Sequence, residues 1–182
     1  MKTLITNKQL HQRISEVSNH INELVSSNPY YADAVCIPIL QGSIPFFTDI
    51  SKHFCWNPVV DYVGLSSYDG ETQVQFHPYK MPKRSLVVDK VVFLFDDILD
   101  TGKTANFFTN TLYSLGAREV IPVFLLKRKN TNWAADSRIR SVIHCFDIAD
   151  EWVFGYGMDD VESRYRTAKH ILYNEQTTKT AV

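Results

Sequence analysis

The feature that most constrains the fold is a pair of short, wholly apolar segments that flank a segment with helical spacing. The apolar segments are 91–95 and 120–126, and Ala105, Phe108 and Leu112 between them recur at three- and four-residue intervals. Continuous apolar runs of this length are typical of strands that are buried on both faces of a sheet. A strand, a helix and a second strand in this order form a right-handed βαβ unit with a parallel sheet. We therefore predict an α/β fold.

Two further segments extend this pattern toward the N-terminus. Residues following Thr6 have the spacing of an amphipathic helix, which Thr6 and Gln9 begin as a capping box and which ends before Pro29. The apolar run 34–40 predicts another buried strand. Ser43 is then predicted to cap the helix that follows it.

The rest of the chain is more mixed. Residues 59–66 predict a strand, and 67–85 are polar and rich in turn-forming residues, which favours a mobile flap or a plain surface connection. Residues 73–76 alternate enough for a short hairpin. Further short strands are predicted at 141–146 and 152–154, with a turn at 155–157. We expect one domain over residues 1–182, with a small subdomain formed by about 145–182.

Charge, hydropathy and cysteine content exclude several classes of protein. Nineteen basic and twenty acidic residues give a formal charge of −1, so bulk charge does not favour nucleic acid or an anionic membrane as a partner. The apolar runs are too short to cross a bilayer, and the first residues lack the apolar core of a signal peptide, so we expect a cytoplasmic protein. Cysteine spacing suggests neither a disulfide framework nor a zinc site, and buried free thiols are expected at Cys36, Cys55 and Cys145.

The polar residues that follow strand 91–95 point to the chemistry. Residues 101–104, TGKT, lead into the predicted helix, whose N-terminal amides and dipole favour an anion such as phosphate. A nucleotide P-loop would need glycine at the position of Asp97, so that interpretation fails. Paired carboxylates at Asp96 and Asp97 suit a sugar diol and a divalent cation instead. A purely structural interpretation, in which the acids only cap the next helix, accounts poorly for three aspartates in five residues.

A dinucleotide site is also disfavoured. The sequence contains no G-x-G-x-x-G motif, because Gly155 and Gly157 are followed at the third position by Asp160. We therefore expect the ligand site at the carboxyl end of strand 91–95, where open α/β sheets bind ligands.

Residues 91–104, VVFLFDDILDTGKT, resemble the phosphoribosyl-pyrophosphate (PRPP) motif of the type I phosphoribosyltransferases. Within that family the chain is most similar to the hypoxanthine-guanine phosphoribosyltransferases. This similarity includes 40–42, 67–68, 124–128 and 150–159. The resemblance implies a central parallel sheet flanked by helices, with a small hood subdomain to which the N-terminus is a further candidate contributor.

The resemblance also implies roles for individual residues. Asp100 would be the general base, near N7 of the purine. PRPP and its phosphates would contact Asp96, Asp97, Thr101, Gly102, Lys103, Thr104, Leu40, Gln41, Gly42 and Arg166. The flap would carry Ser67 and Tyr68, the purine would contact Lys127, Trp152 and Val153, and Mg²⁺ would be held near Asp96, Asp97 and Asp159. Without the resemblance, Lys127 could be a solvated strand end and Trp152 a core residue.

Two positions depart from the family pattern. Gln41 stands where the family usually has lysine, which removes a positive charge beside the expected pyrophosphate. The segment 159–166 is one residue longer than usual, so Arg164 and Arg166 are both candidates for the pyrophosphate contact, and we favour Arg166.

The expected function is magnesium-dependent pentosyl transfer from PRPP to hypoxanthine or guanine, in purine salvage. The resemblance implies a homodimer or homotetramer. Three alternatives stay open: a phosphoribosyltransferase for xanthine or another base, a regulatory protein of the same fold that senses PRPP or nucleotide or binds RNA, and a pseudoenzyme inactivated by Gln41.

Overall fold

The computed structural model describes residues 1–69 and 74–178, and for 67–69, 74–76 and 176–178 it describes the backbone alone. The described helices are α1 (Asn7–Ser27), α2 (Ile44–Ser51), α3 (Arg84–Val87) and α4 (Lys103–Ser114), with a 3₁₀ turn at Pro29–Tyr31. The described strands are β1 (Lys2–Ile5), β2 (Val35–Leu40), β3 (Val59–Val60), β4 (Val63–Asp69), β5 (Val74–Lys80), β6 (Val91–Leu99), β7 (Glu119–Arg128), β8 (Ile143–Ile148), β9 (Glu151–Phe154) and β10 (Ile171–Thr178).

The larger sheet has the order β5-β4-β2-β6-β7-β8, and β3 pairs with β2 at its side. All of its strand pairs are parallel except the hairpin of β4 and β5. In the centre, Phe93 of β6 is in register with Cys36 of β2 and Ile121 of β7. The predicted βαβ unit is therefore β6-α4-β7.

Helices cover both faces of this sheet, which explains why its central strands are apolar without alternation. Along β6, Phe93 and Phe95 belong to the core that contains α1 and α2. Val92 and Leu94 belong to the core that contains Phe108 of α4. Successive strand residues point to opposite faces, so every residue of 91–95 is buried.

The two N-terminal helices begin differently. Helix α1 has the predicted capping box, in which the Thr6 side chain accepts from the Gln9 amide and the Gln9 side chain accepts from the Thr6 amide. The prediction that Ser43 caps α2 is wrong. The Ser43 backbone is already helical, and its hydroxyl donates instead to the Ile39 carbonyl at 2.5 Å.

The predicted strand 59–66 is interrupted at Asp61. The Asp61 carboxylate is buried and accepts from the Lys80 ammonium at 2.7 Å and from the backbone amides of Tyr62 and Lys83. Because this polar cluster lies between β3 and β4, the chain forms two strands where the apolar pattern predicts one. The predicted hairpin exists as β4 paired with β5, and the tip at 70–73 lies outside the described residues.

A second, antiparallel sheet has the order β1-β10-β9 and joins the two ends of the chain. Sequence patterns predicted neither β1 nor β10. Of the cysteines, Cys36 and Cys145 are buried as expected, whereas Cys55 is exposed. None of the helices in the described residues has the length and apolar character needed to span a membrane.

Candidate functional site

The loops that follow β2 and β6 open into one cavity of about 420 Å³ at the carboxyl ends of the parallel strands. Helix α4 starts at this cavity and the segment after β9 closes its side. The predicted site residues that line it are Leu40, Gln41, Gly42, Asp96, Asp97, Asp100, Thr101, Gly102, Lys103, Thr104, Asp159 and Arg166. The fold therefore brings residues from three distant parts of the sequence together.

Gly102 shapes the loop between β6 and α4. It is the N-cap of α4 and has a left-handed backbone conformation, with φ of +76°, that glycine adopts without strain. This turn directs the loop into the first turn of a twelve-residue helix, whose amide ends and dipole favour negative charge. The loop 101–104 can therefore bind a phosphate group at the floor of the cavity.

Asp96 and Asp97 place two carboxyl groups beside that loop. Burial raises the pKa of Asp96 well above its usual range, and the neighbouring charge of Asp97 raises it further. Burial also raises the pKa of Asp97, although hydrogen bonds and the Arg166 charge oppose the effect. A buried pair of acids of this kind is stabilised by any cation or hydroxyl donor that enters the cavity.

The donor set fits a magnesium ion that is bound together with substrate. Mg²⁺ prefers hard oxygen ligands and is usually held by one or two carboxylates, substrate phosphates and water. Within the described ranges, no group of three or more His, Cys, Asp or Glu side chains could hold a metal by itself. Asp96, Asp97 and Asp159 could therefore supply at most part of a coordination shell, which phosphate and sugar oxygens would have to complete.

A second cavity, of about 180 Å³, adjoins the first and shares Asp97, Ile98, Asp100 and Asp159 with it. Its other lining residues are Arg128, Trp152, Val153 and Met158. Trp152 is 37% exposed, so it is not a core residue. A flat apolar wall with a few polar groups suits a planar heterocycle.

Arg128 is the residue of this cavity that sequence reasoning missed. Its side chain is 7% exposed, and its Nε lies 2.9 Å from Oδ1 of Asp100 in an ion pair. Its Nη1 donates to the carbonyls of Ala149 and Glu151, which orients the guanidinium. The buried arginine therefore links the second cavity to Asp100.

Lys127, the predicted purine contact, is not among the described residues that line either cavity. It is half-buried on β7, in register with Leu99 of β6 and Asp147 of β8. Its neighbour on β7, Arg128, lines the second cavity. No local sequence signal separates these two adjacent cations.

Arg166 and Arg164 are also separated by the fold. Arg166 lines the larger cavity, where it pairs with Asp159 at 2.6 Å and donates to the Gly157 carbonyl at 2.7 Å. Arg164 is more exposed and pairs with Glu162 at 2.8 Å. The backbones of Ser67 and Tyr68 lie in β4, and their side chains lie outside what the structure describes.

Comparison with known proteins agrees with this geometry. The model of the phosphoribosyl transferase domain matches residues 3–160. The chain belongs to the phosphoribosyl transferase domain family. The resemblance seen in residues 91–104 is thereby confirmed.

Relatives of this phosphoribosyltransferase domain align over most of its length. A hypoxanthine-guanine phosphoribosyltransferase from Bacillus subtilis (strain 168) is 29% identical over 174 residues, which cover 93% of this chain and 91% of the relative. One from Staphylococcus aureus (strain N315) is 29% identical over 171 residues, with the same coverage.

Solved structures confirm the predicted fold class. A hypoxanthine phosphoribosyltransferase from Staphylococcus aureus superposes with a TM-score of 0.78 at 28% identity, covering 95% of this chain and 90% of that one. A hypoxanthine-guanine phosphoribosyltransferase from Bacillus anthracis gives a TM-score of 0.80 at 25% identity, covering 96% and 98%. The larger sheet, mostly parallel and flanked by helices, is the α/β fold expected of this family.

Proposed function

We propose that this phosphoribosyltransferase domain transfers the 5-phosphoribosyl group from PRPP to hypoxanthine or guanine, which gives IMP or GMP and pyrophosphate. The observation that carries the proposal is that the acidic cavity at the start of α4 and the cavity beside Trp152 meet at Asp97, Asp100 and Asp159. A sugar phosphate in the first cavity and a base in the second would join at this boundary. The names of the similar bacterial proteins support the same activity.

PRPP would bind with its 5′-phosphate in the loop 101–104 and its ribose hydroxyls at Asp96 and Asp97. Its pyrophosphate would lie toward the other wall, formed by residues 40–42, Asp159 and Arg166. Gln41 offers no charge there, so Arg166 is the cation of this wall that the proposal assigns to the pyrophosphate. Backbone amides of the loop 40–42 can still donate to its oxygens.

The carboxylates of Asp96, Asp97 and Asp159 would hold Mg²⁺ with the substrate oxygens. When bound, the ion neutralises charge that develops on the leaving pyrophosphate. Asp96 and Asp97 would orient the ribose hydroxyls, which fixes C1′ relative to the base. Loop 101–104 would hold the 5′-phosphate at the other end of the sugar, which would keep C1′ next to the second cavity.

The base would stack on Trp152, with Val153 at its edge. N9 of the purine bonds to C1′ as the C–O bond to pyrophosphate breaks, and the bonding electrons leave with the pyrophosphate. Asp100 takes or shares the ring proton at N7 as this happens. In this proposal Arg128 would donate to the 6-oxo oxygen, because it lines the cavity beside Asp100, and Lys127 is the alternative donor.

The wider predictions belong to the same proposal. The sheet β1-β10-β9 would be the hood of a single domain, and the β4-β5 hairpin would carry the flap residues Ser67 and Tyr68 that exclude water. The protein would act in the cytoplasm as a homodimer or homotetramer.

Product formation with PRPP and Mg²⁺ tests this function, with hypoxanthine, guanine, xanthine, adenine and uracil in separate reactions. We expect turnover with hypoxanthine and guanine, and a loss of at least about 100-fold in the Asp100→Asn variant. Turnover with xanthine alone would favour the alternative base. Binding of PRPP without turnover of any base would favour a sensor or a pseudoenzyme, and the Gln41→Lys variant separates these because only a pseudoenzyme inactivated by Gln41 would gain activity.

A further inference from the structure

The segment 131–138, here named the strap, lies between β7 and β8 and packs along α4 and the phosphate-binding loop. It contains neither helix nor strand. At its start, the Thr131 hydroxyl donates to the backbone carbonyl of Asp100 at 2.6 Å. The strap therefore contacts the backbone of one of the residues at which the two cavities meet.

Trp133 is the main contact of the strap with the loop. Its indole covers Gly102 so closely that a β-carbon at Gly102 would lie 1.9 Å from Cδ1 of the ring. Below the indole, the Phe124 ring makes an edge-to-face contact with a centroid distance of 6.0 Å. The Trp133 ring therefore packs against the turn at Gly102, and Phe124 of β7 supports that ring from the sheet.

Asn106 connects Trp133 to the first turn of α4. Its Oδ1 accepts from the indole Nε1 at 2.8 Å, and its Nδ2 donates to the Ala134 carbonyl at 2.9 Å. The Asn106 amide also donates to the Gly102 carbonyl at 2.9 Å. The Asn106 side chain thus fixes the strap on α4, and the Asn106 backbone amide bonds to the loop.

The far end of the strap is anchored on the same face of α4. Arg138 pairs with Asp136, donates to Asn110 Oδ1 at 2.8 Å, and lies over the Tyr113 ring at 4.2 Å. Asn106, Asn110 and Tyr113 are spaced by four and three residues, so they form one helical face. Thr131 at one end of the strap and Arg138 at the other therefore hold Trp133 in place.

From these contacts we infer that Trp133 and Thr131 are positioning residues for phosphate binding by loop 101–104. Neither residue lines the cavities in the described part of the chain, and neither carries charge, so their effect is on the shape of the loop. A loop that binds phosphate through backbone amides must have them aimed before the ligand arrives, and ordering the loop on binding would lower affinity. The identity of the full substrate rests on the proposed function, but the preorganised phosphate site does not.

Calorimetric titration of the full chain with ribose 5-phosphate tests this inference without turnover. The Trp133→Ala variant is expected to bind ribose 5-phosphate about 10-fold more weakly, since it removes the ring that covers Gly102. Trp133→Phe, which keeps an aromatic ring there, should recover part of that loss. Trp56→Phe is the matched control, because Trp56 packs on Phe54 and Phe93 away from the cavity, and it should bind like the wild type.

Steady-state kinetics supply the second readout. In Trp133→Ala, the KM for PRPP should rise about 10-fold while the KM for the base stays within about 2-fold. Thr131→Val, a milder change that removes only the hydrogen bond to the Asp100 carbonyl, should shift ribose 5-phosphate affinity in the same direction by about 3-fold. Thr131→Val therefore tests the inference even if Trp133→Ala does not fold.

The outcomes separate this inference from the proposed function. If the wild type binds ribose 5-phosphate and Thr131→Val or Trp133→Ala weakens it, the inference stands even where no purine is converted. Unchanged affinity in the folded variants, an equal rise in both KM values, or a wild type that does not bind ribose 5-phosphate would each overturn it.

Discussion

Gly42, in the loop after β2, lies directly against the carboxylate of Asp97 near the end of β6. A β-carbon at Gly42 would stand 1.7 Å from Oδ2 of Asp97. A third loop joins them, since a β-carbon at Gly157 would stand 2.0 Å from the Gly42 carbonyl oxygen. The loop after β2 therefore approaches both the end of β6 and the segment after β9 at positions where only glycine fits without a shift.

Gly42→Ala should displace the Asp97 carboxylate and lower kcat/KM at least about 100-fold. It should also lower the free energy of unfolding by about 1 to 3 kcal/mol, because the added methyl group and the Asp97 carboxylate cannot both keep their positions. Chemical denaturation and steady-state assays measure the two effects.

The source of that loss can be isolated in a double-mutant cycle with Asp97→Ala. If the clash is with the Asp97 carboxylate, Gly42→Ala should cost less stability in the Asp97→Ala background than alone. Equal costs in both backgrounds would contradict the contact.

Asp96→Asn should stabilise the ligand-free protein at pH 7 by about 1 kcal/mol while it lowers activity. Burial and Asp97 raise the pKa of Asp96, so the folded state binds its proton more tightly than the unfolded state. The contribution of Asp96 to the stability of the wild type therefore falls as pH rises from the unfolded pKa through the raised folded pKa. An asparagine cannot ionise, and its Oδ1 can still accept from the Asp97 amide, as Asp96 Oδ1 does at 3.0 Å.

Thermal unfolding of wild type and Asp96→Asn at several pH values checks the sign. The advantage of Asp96→Asn should be largest at neutral pH and shrink as pH falls toward about 4, where the unfolded aspartate is also protonated. An advantage that is constant with pH would show that ionisation of Asp96 is not its cause.

Arg128→Met should raise the KM for hypoxanthine at least about 10-fold and also lower stability by about 2 kcal/mol, since it leaves two backbone carbonyls without their donor. Arg128→Lys should recover part of the base affinity, because it restores a cation beside Asp100. Steady-state assays at saturating PRPP measure the effect on the base.

Lys127→Met is the matched control, because it removes an adjacent cation outside both cavities. It should change the KM for hypoxanthine less than about 2-fold. The reverse ranking of Lys127→Met and Arg128→Met would assign the base contact to Lys127.

Tyr156→Phe should destabilise the protein by about 1 to 2 kcal/mol. The Tyr156 hydroxyl donates to Oδ2 of Asp49 at 2.6 Å and thereby joins the turn after β9 to α2. Burial raises the pKa of Asp49, but hydrogen bonds from Lys52 and Tyr156 outweigh it, so the pKa lies below its usual range. A carboxyl with a lowered folded pKa stabilises the fold above its unfolded pKa and loses that contribution as pH falls.

The difference between wild type and Tyr156→Phe should therefore be smaller at about pH 3 than at pH 7. Tyr30→Phe, at a side chain that is 68% exposed, controls for loss of a tyrosine hydroxyl and should leave the melting temperature unchanged. A larger difference at acidic pH would contradict the role of the Asp49 carboxylate.

Local sequence patterns predicted the structure correctly where the residues that determine an element lie within it or next to it in the chain. The apolar run 91–95, the helical spacing after it and the acids at 96–100 predicted β6, α4 and the position of the larger cavity. The capping box at Thr6 predicted the start of α1 for the same reason, since both partners lie within four residues.

The β-strands at the chain ends were not predictable in this way. Strand β1 pairs with β10, so Lys2 is opposite Tyr173, and neither segment forms a sheet without the other. The break at Asp61 likewise depends on Lys80 and Lys83, which are distant along the chain.

The sequence by itself determined the parallel α/β core and the acidic loop that begins α4, because hydrophobic periodicity and a strand-end motif are local properties. Tertiary structure alone decided that Arg128 lines the second cavity, and that Trp133 covers Gly102. These facts depend on which face of a strand borders a cavity and on where an irregular segment packs. Both are set by contacts between residues far apart in sequence, which no local pattern records.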